Sequence, residues 1–217
     1  MSLESVLQEV KKELMQKNQV REETHEIMRK ITSSSKQAIL LIHQKKYTQA
    51  QSLIETSKEK INSLQEQATI CPDIIYGGLF SAALQEYSEA RIFFALVRES
   101  RFITPLEINI PSVDFVLGLA DVIGEYRRLA LDYLREGQVK MGEECLETMD
   151  KIFIELLALD EAYMLVPGLR HKSDTARRII EATRGDITLE IRRKSLEDAL
   201  KEFKLPKTPR KKTKDSS

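Results

Sequence analysis

Two short acidic motifs carry most of the chemistry this chain can offer: Glu86 and Glu89, three residues apart, and Asp121 and Glu125, four apart. Both spacings put the paired side chains one turn apart on one face of a helix. The second pair belongs to a longer stripe, because Asp114, Arg128 and Asp132 fall on the same side of the otherwise apolar run DFVLGLADVIGEYRRLALD. Carboxylates on an apolar face cost several kcal/mol to bury unless cations, a metal or water meet them. Four carboxylates from two helices would present an all-oxygen ligand set, which suits hard cations such as Mg²⁺ or Mn²⁺. Redox metal chemistry is discounted, since a di-iron bundle site needs an ExxH pair and His25, His43 and His171 lie outside these two helices. The competing reading is that Arg91, Arg98, Arg127 and Arg128 pair the acids into salt bridges. Spacing leaves both open.

The elements that must position these residues all read as helices. The spacing predicts one long helix over 3–46, continuing through the poor helix formers Thr32 to Ser35, and a second from an N-cap at Thr48 to just before Cys71. A third should run unbroken from Pro72 to Arg98, with Gly77-Gly78 permitting close approach of a neighbour. Residues 100–111 form the connection, Ser112 is the expected N-cap of the acidic-stripe helix, and Gly137 its stop. A single connection makes the third and fourth helices expected antiparallel neighbours. A fifth helix spans Val139–Leu159 and a sixth, basic one runs from Pro167 to Arg184. Gly185-Asp186 reads as a stop and new N-cap before a last helix, Ile187–Phe203. The fold class is thus all-α: one bundle of about six to seven helices over 1–203 and a disordered basic tail over 204–217.

Composition agrees. In 217 residues there are eight Gly and six Pro, and net charge is formally zero, but the tail holds six Lys/Arg against Asp215, leaving 28 basic and 33 acidic residues in 1–203. Any nucleic-acid surface must therefore be local. The basic segment 170–184 is one candidate, although such a face is commonly just solvated. His25 and His43 read as structural or exposed. Cys71 and Cys145 have neither CxxC spacing nor a histidine nearby, so free thiols are expected. With no signal-like N-terminus and no apolar run near the ~18 residues of a membrane span, the expectation is a soluble, cytoplasmic protein without membrane contact. Neither a phosphate-binding glycine loop, a Ser/His/Asp arrangement nor a cysteine nucleophile context occurs.

Four stretches together resemble the translin family, nearer its translin-associated factor X branch. They are Ile31-Thr32…Ser35-Lys36…Ile39-Leu40-Leu41-Ile42-His43; Gln85-Glu86-Tyr87-Ser88-Glu89-Ala90; Asp114 to Asp121 with Gly124-Glu125 and Arg128-Leu129; and Leu169-Arg170 with Asp174 and Arg184-Gly185. The resemblance spans about residues 20–185. It implies about seven helices, a hollow octameric shell, and Mg²⁺-dependent endoribonuclease activity on single-stranded RNA, with Mn²⁺ as a possible substitute. It also implies that Glu86, Glu89, Asp121 and Glu125 are catalytic metal ligands. Arg128, on the same stripe, is the expected counter-charge for the phosphate. The basic RNA-binding motif of translin-type members is absent from YGGLFSAALQEYSEA at 76–90, so a homo-oligomer and an assembly with a second, translin-like subunit both fit. The alternative function is a non-catalytic oligomer that binds single-stranded RNA or DNA.

Overall fold

A computed structural model describes the backbone of residues 2–68 and 72–203, and the side chains of all of these except 73, 74 and 160–162. Cys71 and the tail 204–217 lie outside the described residues. The described residues contain helices and no strand. Six long helices make the body: α1 (Leu3–His43), α2 (Tyr47–Ala68), α4 (Gly78–Phe94), α6 (Ser112–Arg135), α7 (Val139–Leu157) and α8 (Leu169–Phe203). Two single-turn helices, α3 (Pro72–Ile75) and α5 (Pro105–Ile108), punctuate the connections. Among the described residues no helix is long and apolar enough to cross a membrane.

The core runs the length of the bundle and is built from one stripe per helix, with Met28, Ile31 and Ile42 of α1, Ile54 and Ile61 of α2, Phe93 and Tyr87 of α4, Ile123 of α6 and Met149 of α7 all buried. The polar stretch after Thr32 stays helical because Ile31, Ser35 and Ala38 on its inner face are buried, and packing outweighs propensity.

Two boundaries shift, since α2 starts at Tyr47 with Thr48 already inside it and α8 starts at Leu169 after a turn at Pro167, and four larger expectations need correction. The third helix is not continuous. Tyr76 and Gly77 form a bend, Gly77 is extended (φ −140°, ψ 174°), and α4 starts only at Gly78. The Gly pair therefore breaks the helix rather than admitting a neighbour, and neither Gly has an atom within 4 Å of where a Cβ would stand. At its far end α4 loosens into a π-helical turn, Ala95–Glu99, that ends on Ser100 in the left-handed region (φ 54°).

Second, α4 and α6 are parallel. Asp114 meets Ser81, Gly118 meets Gln85 and Ser88, and Tyr126 meets Phe93 (ring centroids 5.8 Å apart), so the residue numbers rise together along both helices. The connection 95–111 is long enough to return along α4, a reach of up to about 3.4 Å per residue. Its α5 turn is fixed by a capping box in which Thr104 and Glu107 bond each other's backbone N–H. Third, Pro111, not Ser112, occupies the N-cap position of α6, without a side-chain cap.

Fourth, α8 runs straight through Gly185. Arg184 pairs with Asp150 at 2.9 Å and Arg127 with Asp186 at 3.1 Å, while Thr183 and Ile187 are buried on either side. Those contacts outweigh the ~1 kcal/mol that Gly costs inside a helix. The stop at Gly137 is as expected, with φ +76°.

Candidate functional site

The site begins with a backbone contact. A Cβ on Gly118 would lie 2.7 Å from the carbonyl oxygen of Gln85 and from Ser88 Cβ, and 2.9 Å from the amide nitrogen of Glu89. Only glycine allows α6 to press this closely on α4, and it does so beside the Glu86/Glu89 turn. Asp121 and Glu125 follow one and two turns later on α6.

The four acids are thereby brought together, and Glu89 records it. Burial raises its carboxyl most, and the charges of Asp121, Glu125 and Glu86 raise it further, to about 8. Lys172 pulls in the other direction but does not offset the three carboxylates. At neutral pH Glu89 thus holds a proton that a bound cation would displace.

Residues that sequence reasoning did not assign to the site complete it. Lys36 of α1 reaches Glu86 at 3.1 Å, and Lys172 of α8 pairs with Asp121. His43, in the last turn of α1, places Nε2 2.6 Å from Glu125 Oε2. An ionised carboxylate only accepts, so Nε2 donates. His43 is 4% exposed and its ring lies 5.0 Å from that of Phe93. Lys36 and His43 are seven residues apart on one face of α1, a spacing that could have tied both to the acids.

None of the four arginines expected to neutralise the acids does so. Arg91 pairs with Glu99 and Arg127 with Asp186, Arg98 stacks over Tyr47, and Arg128 is exposed and without an ion pair among the described residues. The stripe itself divides. Asp114 is 6% exposed and accepts from Ser81 Oγ. Asp132 pairs with Arg135 on the surface, as an end-of-helix acid should. Of the six basic residues of 170–184, Lys172 on Asp121, Arg184 on Asp150 and Arg177 over Phe153 reach partners on other helices, while all but Lys172 stay exposed.

As the side chains stand, no three His, Cys, Asp or Glu groups among the described residues surround a point that could hold a metal ion. The reason is visible in the pairs above, since Lys36, His43 and Lys172 draw three of the acids to separate partners. The donor set nonetheless fits a hard divalent cation, because it is all carboxylate oxygen and carries more negative charge than two lysines neutralise. A cleft of about 340 Å³ between α6 and α8, lined by Asp121, Gly124, His171, Lys172 and Thr175, opens onto Asp121, one of the four acids. A larger cavity of about 820 Å³, lined by Lys45, Lys46, Gln49 and Arg98, lies beyond the end of α4 and contains none of the four acids. Cys145 is a buried free thiol whose titration burial pushes up to about 12, which makes it unreactive.

Fold and site define a class: an all-α bundle whose two central parallel helices face each other with carboxylates. The chain belongs to the translin family, whose sequence model matches residues 19–182. It is 31% identical over 194 residues to the uncharacterized protein MJ0175 of Methanocaldococcus jannaschii, covering 88% of this chain and 86% of the relative. Among solved structures it is similar to AfC3PO (TM-score 0.75, 32% identity, 85% of this chain and 96% of that one) and to AfC3PO in complex with duplex RNA (TM-score 0.74, 31% identity, 85% and 95%). The fold is shared with apo-NeC3PO as well (TM-score 0.77, 20% identity, 85% and 96%).

Proposed function

We propose that this protein is a metal-dependent endoribonuclease acting as an oligomer, with Glu86, Glu89, Asp121 and Glu125 as the ligands of a divalent cation, Mg²⁺ or Mn²⁺. The observation that carries the reading is the convergence of all four acids across the Gly118 contact, with Glu89 half-buried among the other three. RNA as the substrate class is supported by the family and by the AfC3PO complex, whose RNA is a duplex. The strand that is cut is proposed to be single.

A bound Mg²⁺ supplies polarisation of a phosphodiester oxygen and a water of lowered pKa. The chain's own residues do the rest. Glu89 would give up its proton in order to hold the cation. His43 holds Glu125 through Nε2 and fixes the direction of its carboxylate. With a cation held by the acids, Lys172 and Lys36 would be released from Asp121 and Glu86 to meet phosphate charge, and Arg128, exposed one turn beyond Glu125, would add a third cation.

The test is incubation of labelled single-stranded RNA with the protein in Mg²⁺ or in chelator. Shortened product in Mg²⁺ alone, lost in Glu89→Gln with helicity retained, supports the reading. Undiminished cleavage in Glu89→Gln refutes it.

The three existing pairs of Lys36, His43 and Lys172 with the acids favour a second reading, a non-catalytic RNA-binding oligomer in which the acids are simply neutralised. RNA that is shifted in a gel but uncut in Mg²⁺, with affinity falling steeply with salt, selects it.

A further inference from the structure

The first half of α1 buries no side chain against the other described helices. Every described residue from Ser2 to Glu23 is exposed or half-exposed, and the first buried side chain is Thr24. The sequence holds no Gly or Pro before Pro72, and the helix continues about 30 Å past the body at 1.5 Å per residue. Most of this projection precedes the family match, which begins at residue 19.

The projection is not polar all round. Leu3, Leu7, Val10 and Leu14 are 74%, 57%, 44% and 60% exposed, at spacings of four, three and four residues. That is the seam of a two-stranded coiled coil, with Leu7 and Leu14 at one core position of the heptad and Leu3 and Val10 at the other.

We infer that this segment pairs antiparallel with the same segment of a second copy of the chain. Aligned so that paired residue numbers sum to 17, Leu3 of each copy meets Leu14 of the other and Leu7 meets Val10, which closes the whole seam with two-fold symmetry. The flanking charges select this direction. Glu13 is already taken up by Lys17 at 2.8 Å, whereas Glu4 and Lys11 make no ion pair among the described residues. Both occupy the same flanking heptad position, and the antiparallel register sets Glu4 of each copy beside Lys11 of the other, twice per pair. A parallel pair would set Val6 beside Lys11 and Glu13 beside Asn18, with no opposite charges gained.

The seam covers roughly 800 Å² over both copies, below the ~1,200 Å² of a stand-alone interface. The pairing therefore acts between chains or assemblies already held together elsewhere. It is independent of the ribonuclease reading.

The test uses the full chain carrying Leu3→Cys or Leu14→Cys, mixed under mild oxidation, with cross-linked peptides identified by mass so that links through Cys71 or Cys145 are set aside. The expected result is a 3–14 link at least tenfold more abundant than 3–3 or 14–14 links. It is lost when Leu7→Asp is added, while the melting of the body is unchanged. Predominant 3–3 and 14–14 links mean a parallel pair and overturn the inference. So does a 14–196 link to Leu196→Cys on α8, whose outer half also exposes Leu189 and Leu196 (67% and 61%). No link at all overturns it as well.

Discussion

Replacing Gly118 by Ala probes the contact on which the whole site rests. The new methyl would meet two backbone atoms, Gln85 O at 2.7 Å and Glu89 N at 2.9 Å, and Ser88 Cβ at 2.7 Å, none of which can swing away. Reaching an ordinary separation of about 3.4 Å requires α4 and α6 to part by about 0.7 Å. Overpacking of this kind costs about 1–3 kcal/mol, against which Ala recovers up to ~1 kcal/mol of helix propensity. Gly124→Ala, on the same helix with nothing within 4 Å of its Cβ, keeps the propensity gain without the clash. Gly118→Ala should therefore melt below Gly124→Ala by about 1–3 kcal/mol, roughly 5 °C for a chain of this size. Because the same displacement moves Asp121 and Glu125 away from Glu86 and Glu89, Mg²⁺-stimulated cleavage should fall about tenfold or more. Circular-dichroism melts of the two variants, followed by a cleavage assay of Gly118→Ala, decide the matter. Equal melting temperatures would show that the helices are not in backbone contact and would remove the geometric basis of the site.

Other expectations follow from single contacts. Glu89 binds its proton more tightly folded than unfolded, so metal-free protein should lose stability as pH rises from about 4.5 to about 8 and level off above; Glu89→Gln should lack that loss, a difference of about 2–5 kcal/mol at pH 8 by chemical denaturation. Lys172→Met removes the cation competing for Asp121, and should tighten Mg²⁺ binding about fivefold by calorimetry, the worth of a part-exposed ion pair of ~1 kcal/mol. Gly185→Ala should stabilise the chain by about 0.5–1 kcal/mol in thermal melts, because α8 is continuous there and nothing lies within 4 Å; destabilisation would show that the helix needs the glycine.

The all-α class and the four acids were legible because helical periodicity is local, and so is the one-turn spacing of each acidic pair. What failed was whatever depends on partners distant in sequence. Gly77-Gly78 and Gly118 look alike as residue types, yet only at Gly118 does another backbone arrive. Gly185 reads as a stop until Asp150 and Arg127 are seen holding the helix on either side of it. The parallel course of α4 and α6 follows from the π turn, the left-handed Ser100 and the α5 capping box acting together, none of which has a strong periodic signal. His43 and Lys36 escaped assignment because their acids lie 82 and 50 positions away.

Whether Glu86, Glu89, Asp121 and Glu125 together take up a divalent cation is decided by calorimetric Mg²⁺ titration at pH 7 in two buffers of different ionisation heat. With Glu89 at about 8 in the free protein, about 0.9 proton should be released per ion bound, and Glu89→Gln should bind much more weakly with no proton release. Binding without proton release, or binding unchanged in Glu89→Gln, would contradict it.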